Sequence, residues 1–155
     1  MPTLSVRPAT LADLPAVASL FDSYRQFYEQ PPALEAATAF IRARMENGES
    51  IILVAEDTTA TTSGPLGFCQ LYPNFCSVEM APIFVLYDLF VTPAARGAGA
   101  GKALLLAAHD HAAAQGAKRL DLTTAKTNHT AQALYASLGW VRDEVFYAYN
   151  LRVKG

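Results

Sequence analysis

The chain has 155 residues, 52% of them hydrophobic and 17% charged, with a formal net charge of −2 at pH 7. That is enough chain for one domain with a real core, and too apolar a composition for disorder. The charge balance excludes the basic bias of a nucleic-acid binder, no apolar run approaches the ~20 residues needed to cross a bilayer, and the N-terminus lacks the charged-then-apolar pattern of a secretory signal.

A single cytoplasmic domain over residues 1–155 is therefore expected. "LSVRPAT" alternates apolar and polar residues and reads as a strand. Thr10, with Asp13 three residues later, marks a helix start, and "TLADLPAVASLFDSYRQFY" continues at helical spacing. Pro15 falls near the first turns, where proline is tolerated, and Pro31-Pro32 stops the helix. "ALEAATAFIRARMENG" is a second helix ending at Gly48. "SIILVAE" and "LGFCQLY" are strands joined by the polar, turn-rich "DTTATTSGP". "APIFVLYDLFV" is mostly apolar, as expected of a central strand covered on both faces.

A glycine-rich stretch follows, then an alanine- and leucine-rich helix to about Gly116. "RLDLTTA" reads as a strand, "NHTAQALYASLG" as a helix stopped by Gly139, and "WVRDEVFYAYNLRV" as one or two closing strands. The order is β-α-α-β-β-β-α-β-α-β-β, a mixed α/β sheet with helices on both faces.

No metal site is expected. His109 and His111 are two apart on a helix and point in different directions, and His129 has no partner at ligand spacing. Cys69 and Cys76 are not spaced as a metal knuckle and read as reduced thiols.

The stretch "RGAGAGKALL", residues 96–105, opens a helix after a strand. A P-loop would need glycine where Arg96 stands and a hydroxyl where Ala103 stands. A dinucleotide fingerprint would need glycine at Lys102 and an earlier place in the chain. Both are rejected. What remains is Arg96-x-x-Gly99-x-Gly101, whose bare backbone lets N–H groups converge on an anion at a helix N-terminus, with Arg96 and Lys102 as countercharge. Taken alone, the stretch also fits a plain glycine turn.

Farther on, Asn128, Ala131 and Tyr135 fall at i, i+3 and i+7, one stripe of a helix. Together the two patterns resemble the GNAT superfamily of acetyl-CoA-dependent N-acetyltransferases, with its Gln/Arg-x-x-Gly-x-Gly/Ala loop and later Asn-x-x-Ala-x-x-x-Tyr helix. "LYDLFVTPAARGAGAG" and "LYASLG" look like the spermidine/spermine and thialysine acetyltransferase branch. The resemblance implies a twisted, mostly antiparallel sheet flanked by about four helices, and acetyl transfer to a primary amine of an amino-acid-like or polyamine-like small molecule.

It also implies roles. Backbone at Leu89, Phe90 and Val91 would bind pantetheine. The run Arg96, Gly97, Ala98, Gly99, Ala100, Gly101 and Lys102 would hold pyrophosphate, and Asn128 the pantetheine arm. Tyr135 would protonate the departing thiolate. Asp88 is the first candidate for general base, with a structural carboxylate as the equal alternative; Glu29, Glu35 and Glu79 are weaker choices. Tyr24, Arg25, Tyr28, Glu29 and Tyr87 are candidate substrate contacts, with Phe27, Tyr72 and Phe75 as further wall residues. Arg25, absent from the branch pattern, would suit an amine that bears a carboxylate. A homodimer without nucleic-acid or membrane partners is expected. A protein lysine or N-terminal acetyltransferase and a non-catalytic acyl-CoA-binding module stay open as alternatives.

Overall fold

A computed structural model describes residues 3–60 and 64–155. Its elements are β1 (Leu4–Pro8), α1 (Leu14–Phe27), α2 (Leu34–Glu46), β2 (Ile51–Asp57), β3 (Gly67–Cys76), β4 (Ala81–Val91), α3 (Ala100–Ala114), β5 (Leu120–Asp121) and α4 (His129–Ser137). The middle of the expected 57–65 connection lies outside the described residues. The chain divides into two compact units, Met1–Thr123 and Thr124–Gly155.

In the first unit the five strands lie in the order β1-β2-β3-β4-β5. The pairs from β1 to β4 are antiparallel, and β4 pairs β5 in parallel. The mixed, mostly antiparallel sheet read from the sequence is present, with two helices between its first two strands.

The entry to α1 shows how local chemistry sets the fold. Thr10 donates its N–H to Asp13 Oδ2 at 2.7 Å, as the Thr10–Asp13 spacing predicts. The Arg7 guanidinium, on β1, holds the same carboxylate at 2.8 Å and Glu56 of β2 at 2.7 Å. One arginine thus ties a strand, a helix start and a second strand. Its hydrogen bond is the main reason the Asp13 carboxyl is held down at about 2, below the usual range. The helix begins as a 3-10 turn, Leu11–Asp13, and becomes α at Leu14, with Pro15 in its first turn.

The sheet has a core on each face. Leu14, Val17 and Leu20 of α1 and Ile41 of α2 pack with Ile52, Val54, Phe68 and Phe90 of the strands. Alternate strand residues Leu53, Ala55, Cys69 and Leu71 are also buried, as are Leu104, Leu105, Ala108 and Ala112 of α3, which lies against β1 to β4. Each fully buried Leu or Phe side chain contributes roughly 1.5–3 kcal/mol by leaving water.

In the second unit Asn128 caps α4, its Oδ1 accepting the Ala131 N–H at 3.2 Å. Gly139, at φ 91°, ends it in a conformation that glycine adopts without strain. Two expectations need correction. The strand expected over 119–125 is only Leu120–Asp121, and the closing strands expected over 140–153 do not form. Residues 141–153 do alternate, but Val141, Val145, Tyr147, Tyr149, Leu151 and Val153 are 79–96% exposed. Alternation sets which side chains share a face, whereas a strand also needs a neighbour for its backbone. None pairs with this stretch among the described residues.

Candidate active site

β4 carries the chemistry because its ladder changes along its length. On one side it runs antiparallel to β3, but the register slips: Gln70 faces Asp88 and Leu71 faces Leu86. Tyr87 is the extra residue of this bulge, and a bulge re-aims the side chains around it. Tyr24 of α1 donates its hydroxyl to the Tyr87 carbonyl at 3.1 Å, which ties the helix to the bulge. On the other side β4 pairs β5 only at Phe84 and Val85. From Leu86 to Val91 that edge has no strand partner among the described residues, so the expected acyl-donor backbone at Leu89, Phe90 and Val91 lies along an open edge.

Asp88 is only 4% exposed. Gln70 Nε2 donates to its Oδ2 at 2.6 Å, and Ser50 Oγ donates to Gln70 Oε1 at 2.7 Å. Burial pushes the Asp88 carboxyl up to about 6, against the opposing pull of hydrogen bonds from Gln70 and Tyr24. A carboxylate at that value is largely ionised at neutral pH yet far more basic than an exposed one. It can take a proton there. Motif reading did not single out Gln70 and Ser50, which form this hydrogen-bond chain to Asp88; the signal for Gln70 was a lone polar side chain inside the apolar run "GFCQLY".

The strand ends in the glycine loop. Gly97 and Gly99 have φ of 87° and 89°, where other residues are strained, and Gly99 is the N-cap of α3. Ala100, Gly101 and Lys102 form the first turn of a 15-residue helix, so its unpaired N–H groups and positive dipole end lie at the loop. Arg96 is pinned there, its Nε donating to the Val91 carbonyl at 3.1 Å and its guanidinium lying 5.4 Å from the Phe90 ring centre. The loop residues thus fit a phosphate-bearing ligand, through backbone donors and two adjacent cations.

The acceptor-side residues are divided. Tyr24 packs edge-on against Phe68, Phe90 and Tyr28, and Tyr72 against Tyr87 at 5.5 Å. Tyr28 and Phe27 are exposed at the end of α1, and Glu29 follows in a left-handed turn at φ 63°. Arg25 is already engaged, by Asp22 at 2.9 Å and the Pro31 carbonyl at 3.1 Å; buried Asp22 also accepts the Ala33 N–H. That arginine fastens the connection between α1 and α2. Glu79 sits at the β3–β4 turn, away from the glycine loop, and pairs with Arg119 at 3.0 Å. Phe75 is 77% exposed near the same turn, and Glu35 is exposed in the first turn of α2. Asn128 caps α4 and Tyr135 lies on it, both half-buried, with the Tyr135 ring 6.0 Å from Trp140. No group of three or more His, Cys, Asp or Glu able to hold a metal occurs among the described residues, and both cysteines are free.

The model of the acetyltransferase (GNAT) family matches residues 14–140, most of the chain. The chain belongs to the GNAT acetyltransferase family. It is 47% identical over 150 residues to an uncharacterized N-acetyltransferase, YhfO, of Bacillus subtilis, covering 97% of this chain and 98% of that one. It is 29% identical over 133 residues to the D-amino-acid N-acetyltransferase HPA3 of Saccharomyces cerevisiae, covering 84% and 81%. Among solved structures, a probable acetyltransferase superposes with a TM-score of 0.90 at 33% identity, covering 97% of this chain and 99% of that one. As a GNAT protein the chain is an N-acetyltransferase, and the donor used in this family is acetyl-CoA.

Proposed function

We propose that this GNAT protein is a single catalytic domain over residues 1–155 that transfers the acetyl group of acetyl-CoA to a primary amine of a small molecule. The observation that carries the reading is Asp88: a buried, basic carboxylate one residue beyond a bulge, on a strand whose outer edge is open. The amine is amino-acid-like before polyamine-like. One relative over most of both chains is a D-amino-acid N-acetyltransferase, which supports that order. The spermidine/spermine-like motifs keep polyamines in the test panel.

The bound donor supplies an activated acetyl group, and this chain's residues do the rest. Backbone at Leu89, Phe90 and Val91 holds the pantetheine amides as an added strand would. N–H groups from Arg96 to Lys102 take the pyrophosphate, and Asn128 takes the pantetheine arm. Asp88 removes the ammonium proton, directly or through water, because an amine with a pKa near ~10.4 cannot attack while protonated. A backbone N–H on β4 polarises the carbonyl. Tyr135 gives a proton to the departing sulfur. Transfer is direct, within a ternary complex. Tyr24, Tyr28, Tyr87 and Glu29 border the amine.

The protein works in the cytoplasm as a homodimer, a state supported by the exposed apolar side chains of residues 141–153. The test is thiol release from acetyl-CoA across D- and L-amino acids, polyamines, aminoglycosides and a lysine peptide. Amino acids are expected to give the highest kcat/KM. Turnover of the lysine peptide alone would make the protein a protein-modifying enzyme. Binding of acetyl-CoA with no turnover would make it a binding module.

A further inference from the structure

Asp88 is held by a chain of side chains that starts outside its own strand. Ser50, just before β2, donates its hydroxyl to Gln70 Oε1 at 2.7 Å. Gln70 is fully buried on β3, directly across from Asp88, and donates Nε2 to Asp88 Oδ2 at 2.6 Å. A primary amide has one accepting and one donating end. With the hydroxyl proton of Ser50 on Oε1, the donating end is the one turned to Asp88. A buried glutamine with both ends engaged orients its neighbour, and an N–H aimed at a carboxyl favours the charged form.

We propose that Gln70, oriented by Ser50, is the positioning residue of the Asp88 base: it fixes the carboxylate in place and holds it ready, deprotonated, between turnovers. The proposal rests on Asp88 being the base. It adds that the base is built from three strands' worth of sequence, β2's approach, β3 and β4, and not from β4 alone. The bulge at Tyr87 supplies the geometry, because the slip in register is what brings Asp88 opposite Gln70.

Other titratable groups border Asp88. They are Tyr24 from α1, Cys69 and Tyr72 from β3, and Tyr87 beside it; Arg44 and Glu49 act on Tyr72. Burial pushes both Cys69 and Tyr72 up to about 12, so they keep their protons while Asp88 titrates. The Asp88 pKa is raised above its unfolded value by burial, and the Gln70 donor partly opposes that rise. Removing the donor therefore moves it further up.

The experiment measures kcat/KM against pH, with the best amine, in the parent, Gln70→Leu, Ser50→Ala, Ser50→Thr and Asp88→Asn. The acidic limb should rise through about 6 in the parent. In Gln70→Leu it should shift up by about one pH unit, which lowers kcat/KM about fivefold at pH 6 and by only about a tenth at pH 8. Ser50→Ala should give a smaller shift in the same direction, and Ser50→Thr, which keeps the hydroxyl, should restore the parent profile. CoA affinity should not change in any of them. A carbon-13 titration of the Asp88 carboxyl in the parent and in Ser50→Ala reads the same shift without turnover, should Gln70→Leu not fold. If Asp88→Asn keeps the acidic limb, Asp88 is not the base, and the proposal falls with that reading. If the limb belongs to Asp88 but neither it nor the carboxyl titration moves in the Gln70 and Ser50 variants, the base reading stands and the positioning role is overturned.

Discussion

Replacing Gly99 by valine tests the glycine loop through its backbone. Gly99 has φ 89° and ψ 11°, and among the described residues a Cβ there would meet only Leu4 Cδ1, at 4.0 Å. The cost of a side chain is thus conformational, not a clash within the chain. For an L-residue in the left-handed region it is roughly 1–2 kcal/mol, with a β-branched residue at the upper end. In a chain of this size that lowers Tm by about 2–8 °C if the loop keeps its shape. If the loop relaxes instead, CoA binding must restore the strained shape, and affinity falls about 5- to 30-fold. A branched side chain at Gly99 should also obstruct the approach of a phosphate to the loop's backbone N–H groups, so affinity should fall in both cases. Gly116→Val is the matched control: φ is 75°, nothing lies within 4 Å, and the position is at the far end of α3. Scanning calorimetry and CoA titration calorimetry on both variants separate the effects. Both should lose Tm, and only Gly99→Val should lose CoA affinity. A folded Gly99→Val with the parent's CoA affinity would refute the phosphate-loop assignment.

Tyr135→Phe should keep the fold and CoA affinity while kcat drops roughly ten- to a thousand-fold, the range for losing a general acid. The deficit should shrink with an acyl donor whose thiol leaves more readily; equal rates for parent and variant would reduce Tyr135 to a packing residue. Activity should survive EDTA, since no metal-binding group of His, Cys, Asp or Glu exists among the described residues, and loss restored by one added metal would contradict this. The Asp13 carboxyl, held down at about 2 in the fold and near ~3.9 unfolded, contributes stability that is fully present above pH ~4 and lost as pH falls toward 2. Asp13→Asn should therefore flatten that part of the stability curve measured by urea denaturation, and an unchanged acid profile would show the Arg7 pair to be inert.

The motifs were legible because each depends on a local backbone need that only certain residues meet. Gly97 and Gly99 occupy positive φ, Asn128 caps its own helix, and Thr10 with Asp13 opens α1 through a bond spanning three residues. Asp88 was singled out by its place on the central strand, where the structure buries it and burial raises its carboxyl to about 6. The register was not legible. That Gln70 faces Asp88 follows from a bulge that pairs residues 18 apart along the chain, which no local pattern encodes. The partners of Arg25, Asp22 and Pro31, were not legible for a related reason: they depend on how the α1–α2 connection folds back. The alternation of residues 141–153 was read correctly as a pattern and wrongly as a strand, because the partner edge is not part of the pattern.

The most direct test of the account mixes the purified protein with acetyl-CoA and a D-amino acid, then quantifies free CoA thiol and N-acetylated amine in the same sample. Equal amounts of both are expected, with a rate that climbs with pH through about 6 and loses that climb in Asp88→Asn. Thiol released without an acetylated amine, across the whole amine panel, would contradict it.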